Sequence, residues 1–228
     1  MNEPRNLSID GDRLWQSIMD IAEIGPTEKG GSRRLALTDL DREARDLFVA
    51  WCEAAGCTVT VDQMGNIFAR RAGRDHSLPP VVPGSHLDTQ PTGGRFDGIY
   101  GVLAGLEVIR SLNDLDYETE HPIEVVVWTN EEGSRFAPAM ISSGVFGGQF
   151  SLEHGLSRAD TDGLTIGQEL ERIGYAGDLP VGGRDLHAYV EAHIEQGPVL
   201  EDSGNTIGAV TGIQGSRRFQ VNITGESA

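Results

Sequence analysis

Residues 123–132 read IEVVVWTNEE. From Val125 to Thr129 five consecutive residues are β-branched or aromatic, and such a run suits a central strand covered on both faces. Glu131 and Glu132 follow directly on it. Two adjacent acids at the tip of a buried strand repel each other unless something cationic lies close. A solvated charged turn is the plain reading of this pair. The other reading is chemical: one carboxylate ligates a metal while its neighbour takes a proton from water.

Working outward, strands and helices alternate. Ser8 and Asp10 are candidate caps for a helix bearing Leu14, Ile18, Met19 and Ile21. Thr38 with Asp41 resembles a capping box, and Leu40, Ala44, Leu47, Phe48 and Trp51 mark one helical face that Gly56 ends. CTVTVD and IFARRAG around MGN read as a hairpin. VVPG is a short strand leading to His86, and residues 99–112 form an almost all-round apolar, buried helix. LTIGQELERIG is a short helix. LHAYVEAHIEQG, NTIGAVTGI and RRFQVNIT read as strands. The pattern predicts an α/β architecture, a mixed sheet flanked by helices. Ligands of such sheets sit outside the carboxyl ends of strands, where the polar residues of interest fall.

Composition narrows the partners. The chain has 228 residues, 38% of them hydrophobic, and a formal charge of −17 from 35 acidic and 18 basic residues. That is a globular composition, and its sign disfavours nucleic acid or an anionic membrane surface. Cys52 and Cys57 are too few for a disulfide framework and read as free thiols. No apolar run reaches membrane-spanning length and the first ten residues lack the apolar core of a secretion signal, so the expected compartment is the cytoplasm.

The stretch GSHLDTQPTGGRFDG, residues 84–98, concentrates His86, Asp88 and Asp97 among glycines. Asp88, two residues after His86, faces the same way in an extended segment, where a carboxylate fixes the imidazole ring nitrogen not used by a metal. Asp97 can bridge two cations, or simply cap the buried helix. His193, between Glu191 and Glu195, is either a surface ion pair or a second imidazole ligand. Nitrogen and hard oxygen donors in this mix suit zinc, or manganese, cobalt or nickel, at a two-metal site. No Ser or Cys nucleophile motif and no P-loop is present.

Three motifs in order, GSHLDTQPTGGRFDGIYGVLAGLEVIRSL, WTNEEGSRFAPAMISSGVFGG and AHIEQGPVLE, resemble the hydantoinase/carbamoylase amidases of the dinuclear metallopeptidase superfamily. That branch holds N-carbamoyl-L-amino-acid amidohydrolases, β-ureidopropionases and allantoate amidohydrolases. EEGSRF and HIEQGP point to the amidases and away from the peptidases. The resemblance implies that His86, Asp97 and His193 bind one metal, and that Asp97 bridges to a second held by Glu132. It makes Glu131 the general base, Asp88 the partner of His86, and Gln196 a substrate contact. It implies a hydrolase that opens the linear C–N bond of an N-carbamoyl (ureido) amino acid with two divalent metal ions, and a homodimer at full length. Allantoate hydrolysis and a non-catalytic metal-binding or assembly fragment are the alternatives. It further implies that residues 1–211 form the N-terminal part of the catalytic domain and 212–228 the start of a smaller α+β lid and dimerisation domain. The expectation is therefore an N-terminal portion whose family pattern, with a further metal-binding histidine, continues beyond Ala228. Such a portion is expected to hold at most one metal tightly.

Overall fold

A computed structural model describes residues 7–213, 215 and 221–225. They divide into two compact units, Met1–Ile194 and Glu195–Ala228.

The first unit is built on a five-stranded mixed sheet in the order β1-β2-β4-β3-β5. Strands β1 (Thr58–Val61) and β2 (Ile67–Arg71) form the expected antiparallel hairpin. The central strand is β4 (Ile123–Trp128), with all six residues buried. It runs antiparallel to β2 and parallel to β3 (Val81–His86), which in turn pairs in parallel with β5 (Ala188–Val190). Because successive side chains alternate across a strand, β4 divides its residues between two cores. Val125 and Val127 join the larger one, with α1 (Gly11–Ala22), α2 (Asp39–Ala54) and α3 (Ile99–Asp114). Val126 and Trp128 face the other way, with Phe68 and Val82, against Phe146 and Leu186.

Two short helices, α4 (Ile141–Phe146) and α5 (Leu152–Leu156), were not foreseen; each is too short to show a helical period. The helix α6 (Ile166–Ile173) was foreseen, but not its cap. Thr165 accepts from the Gln168 amide nitrogen while the Gln168 side chain bonds back to Thr165. That reciprocal box, expected at Thr38, is only half made there: Thr38 accepts from the Asp41 N–H, but the Asp41 carboxylate takes the Leu37 N–H and the Arg45 guanidinium instead. Asp10 caps α1 through the Arg13 N–H. Both cysteines are free, as expected, and both are buried.

The alternation expected over 186–197 ends early: β5 holds three residues, and Glu191 to Glu195 lie beyond it. In the second unit, Glu195 accepts the N–H groups of Val199 and Leu200 at 3.0 and 2.8 Å and so caps a one-turn helix, α7 (Val199–Asp202). The strand expected over 205–213 does not form. A strand needs a neighbour to complete its ladder, and none pairs with it among the described residues; Ile207 and Val210 are exposed. Of the strand expected over 217–224, residues 217–220 lie outside the described set and 221–224 are not a strand. No helix among the described residues is long and apolar enough to cross a membrane.

Candidate metal centre

Strands β3 and β4 run in parallel, with His86 paired to Trp128 at their carboxyl ends. The chain leaving β3 therefore meets the chain leaving β4. Asn130 sits in the left-handed region at φ 54° and Gly133 at φ 63°, which turns the segment sharply after the strand. The turn is held by Asp88. Its two carboxylate oxygens accept the N–H groups of Glu131 and Glu132, at 3.2 and 3.3 Å. Arg135 fixes the far side, donating to Asp160, Glu169 and the Ala36 carbonyl.

His86 is almost fully enclosed. Its Nδ1 lies 2.8 Å from the Asp88 main-chain oxygen and 3.9 Å from the carboxylate, so the hydrogen bond that orients the ring comes from Asp88 backbone, not from its side chain. Asp97 precedes α3, and Gly98 between them is required. At φ 73° it is in a conformation side chains resist, and a β-carbon there would come within 2.4 Å of the His86 ring. The helix start is thus pressed onto the imidazole. His193 approaches from beyond β5, with Nδ1 2.8 Å from the Ile194 carbonyl.

With both Nδ1 atoms engaged by carbonyls, both Nε2 atoms face Asp97: Oδ1 is 3.1 Å from His193 and 3.9 Å from His86. Donor atoms of His86, Asp97 and His193 all lie within 4.8 Å of one another, the one such metal-competent group among the described residues. Two imidazoles and a carboxylate in this arrangement fit a divalent cation of the zinc type, with the second nitrogen of each ring already occupied, as such ligands require.

Glu131 reaches the same point, its Oε2 3.3 Å from His86 Nε2. Burial raises its pKa, His86 opposes, and the neighbouring Glu132 adds to the rise. Burial likewise pushes Asp88 up to about 6, against the pull of His86. For His86 burial acts downward, but Asp88 and Glu131 outweigh it and the net direction is up. Glu132 stands outside the trio; its carboxylate accepts from the Gln90 amide, whose oxygen takes the Ser134 hydroxyl. Gln196 belongs to the second unit.

Two buried arginines support the site and escaped sequence reading. Arg34 donates to the carbonyls of Leu87 and Ile24, clamping the exit of β3. Arg45 pairs with Asp41 at 2.9 Å and reaches the Gly65 carbonyl and the Thr129 hydroxyl next to the β4 exit. Both look like surface charges in sequence. The signal that was available is Asp41 four residues before Arg45, on a helix face that also carries the buried Phe48 and Cys52.

Residues 83–227, which contain every proposed site residue, match the family described as peptidase family M20/M25/M40. The N-carbamoyl-L-amino-acid amidohydrolase of Rhizobium meliloti is 54% identical over 223 residues, covering 98% of this chain and 54% of that protein. The allantoate amidohydrolase of Bacillus subtilis is 35% identical over 208 residues, covering 90% of this chain and 50% of that protein. A crystal structure of a hydantoinase/carbamoylase family amidase from Burkholderia multivorans superposes with a TM-score of 0.86 at 71% identity, covering 87% of this chain and 48% of that one. The chain spans about half the length of the curated relatives it matches. It belongs to the peptidase family M20/M25/M40, on the side of that family where these amidases lie.

Proposed function

We propose that the complete protein hydrolyses the linear amide C–N bond of an N-carbamoyl-L-amino acid, using two divalent metal ions. The observation that carries this reading is the convergence of His86, Asp97 and His193 with Glu131 beside them. Divalent ions, when bound, acidify water and polarise a carbonyl. His86, Asp97 and His193 would hold the first, and Asp97 and Glu132 would contribute to the second. Asp88 fixes the Glu131–Glu132 turn and supplies the carbonyl that orients His86. Glu131 takes a proton from the attacking water and delivers it to the leaving nitrogen; its raised pKa suits a group that must both accept and return a proton. The carbamoyl carbon leaves as carbamate, which decomposes to carbon dioxide and ammonia, and the free amino acid remains. Gln196 contacts the substrate. The same reading assigns residues 1–211 to the catalytic domain and 212–228 to the start of the lid and dimerisation domain of a cytoplasmic homodimer.

The test is a panel of N-carbamoyl-L-amino acids, N-carbamoyl-β-alanine and allantoate on the full-length protein, with manganese, cobalt or zinc added. N-carbamoyl-L-amino acids are expected to turn over fastest. Preference for allantoate would move the protein beside its B. subtilis relative, and turnover of none would sink the proposal. Within an active protein, Glu131→Gln is expected to keep its metal and lose roughly 10²–10⁴-fold in turnover.

A further inference from the structure

His193 poses a mechanical question. It lies beyond a three-residue strand and is partly exposed, yet its Nε2 sits 3.1 Å from Asp97. Something other than a sheet ladder must hold it there. Two residues before it, Glu191 is gripped on both carboxylate oxygens. The Ser85 hydroxyl donates to one at 2.5 Å, and the Tyr189 hydroxyl donates to the other at 2.7 Å. The Tyr189 oxygen in turn accepts the Trp128 indole N–H at 3.1 Å. Each member stands close in sequence to a site residue: Ser85 precedes His86, Trp128 precedes Glu131 by three, and Glu191 precedes His193 by two.

We propose that Glu191 is a positioning residue for the metal centre: through Ser85, Tyr189 and Trp128 it ties the segment carrying His193 to the ends of the two strands that carry His86 and Glu131. The proposal rests on the metal reading above. A carboxylate suits the task, since it accepts two hydroxyl donors at once and bonds to a charged acceptor are the stronger kind. Glu191 is not itself in the group whose donor atoms converge.

The experiment titrates the metal-free, full-length protein with cobalt(II), following its visible absorption. Glu191→Ala is expected to weaken the first cobalt by about 10–100-fold, the range for loss of a residue that orients a ligand, and to alter the absorption band. Tyr189→Phe should lose less, in the same direction, and Glu191→Gln should recover part of the loss. Circular dichroism and melting temperature should stay near those of the parent. A merely structural role would lower the melting temperature and leave the cobalt affinity of the folded protein alone, which overturns the proposal. Should Glu191→Ala fail to fold, Tyr189→Phe and Ser85→Ala decide by the same measure. His193→Ala separates the two ideas. If it loses cobalt while the Glu191 and Tyr189 variants bind normally, only the positioning role falls. If it binds cobalt undiminished, the metal reading falls and takes this proposal with it.

Discussion

The two histidines of the candidate metal centre are held in opposite ways. The His86 side chain is 2% exposed and ends a six-residue strand flanked by partners on both sides. Gly98 presses on its ring, Arg34 clamps the backbone after it, and the Asp88 carbonyl sets its tautomer. The His193 side chain is 32% exposed and follows a strand of three residues, paired on one side only. Packing fixes one ligand; a few side-chain hydrogen bonds fix the other. The difference teaches how the candidate site is assembled: one histidine stands on a rigid wall, and the other closes against it through a few side-chain bonds.

That contrast can be broken from the rigid side. Gly98→Ala places a methyl 2.4 Å from His86 in a backbone conformation alanine resists. We expect near-complete loss of metal in elemental analysis after dialysis, with a destabilisation of at least ~1–3 kcal/mol from the strained conformation alone. Arg45→Met leaves Asp41 buried without its partner beneath the β4 exit, and should cost about 3–5 kcal/mol in urea denaturation. Asp88→Asn is milder. It keeps the carbonyl that orients His86 but spoils one of the two acceptors holding Glu131 and Glu132, so turnover or metal affinity should fall roughly 10–100-fold.

The smallest effect sharpens the contrast by pH. Arg172, against a contrary push from burial, holds the Glu169 carboxyl below the usual carboxylate range, and Arg135, which anchors the Glu131–Glu132 turn, adds to this. A depressed carboxyl stabilises the fold above its ordinary pKa, and this contribution fades as pH falls through the depressed value. Glu169→Gln should therefore lose on the order of 1–2 kcal/mol near neutral pH and show a flatter acid limb in stability measured against pH. Unchanged stability across the range would mean the anchor is not needed.

The rigid side was also the legible side. An unbroken β-branched run betrays a strand buried on both faces, and β4 is such a strand. The helix after Asp97 shows its burial in an almost all-round apolar surface, and most of α3 is buried, with Val108 left exposed. His86, Asp97 and His193 stood out as nitrogen and oxygen donors at the exit of an apolar strand, the start of the buried helix and the face of an alternating segment, and the resemblance grouped them as ligands of one ion. What stayed hidden depends on pairs far apart in sequence. Arg34 and Arg45 read as ordinary surface charges because their acceptors are mostly carbonyls, which leave no mark in sequence. The alternation through Glu195 looked like one long strand, but period two is equally satisfied by a short strand followed by a tethered segment and a helix cap. The strand over 205–213 had the right residues and no neighbour to pair with among those described.

The order of strands in the sheet also sets a clock. Asp97 follows His86 by eleven residues, whereas His193 comes 96 residues after Asp97. Closing the longer loop costs roughly 2 kcal/mol more chain entropy than closing the shorter one, on the logarithmic scaling of loop closure. On a ribosome adding about 5–20 residues per second, His193 is made roughly 5–20 s after Asp97. In that interval the nascent chain holds two members of the candidate trio, and the third arrives only when β5 docks beside β3. A cobalt or zinc signal from a growing chain would therefore time the docking of β5 beside β3.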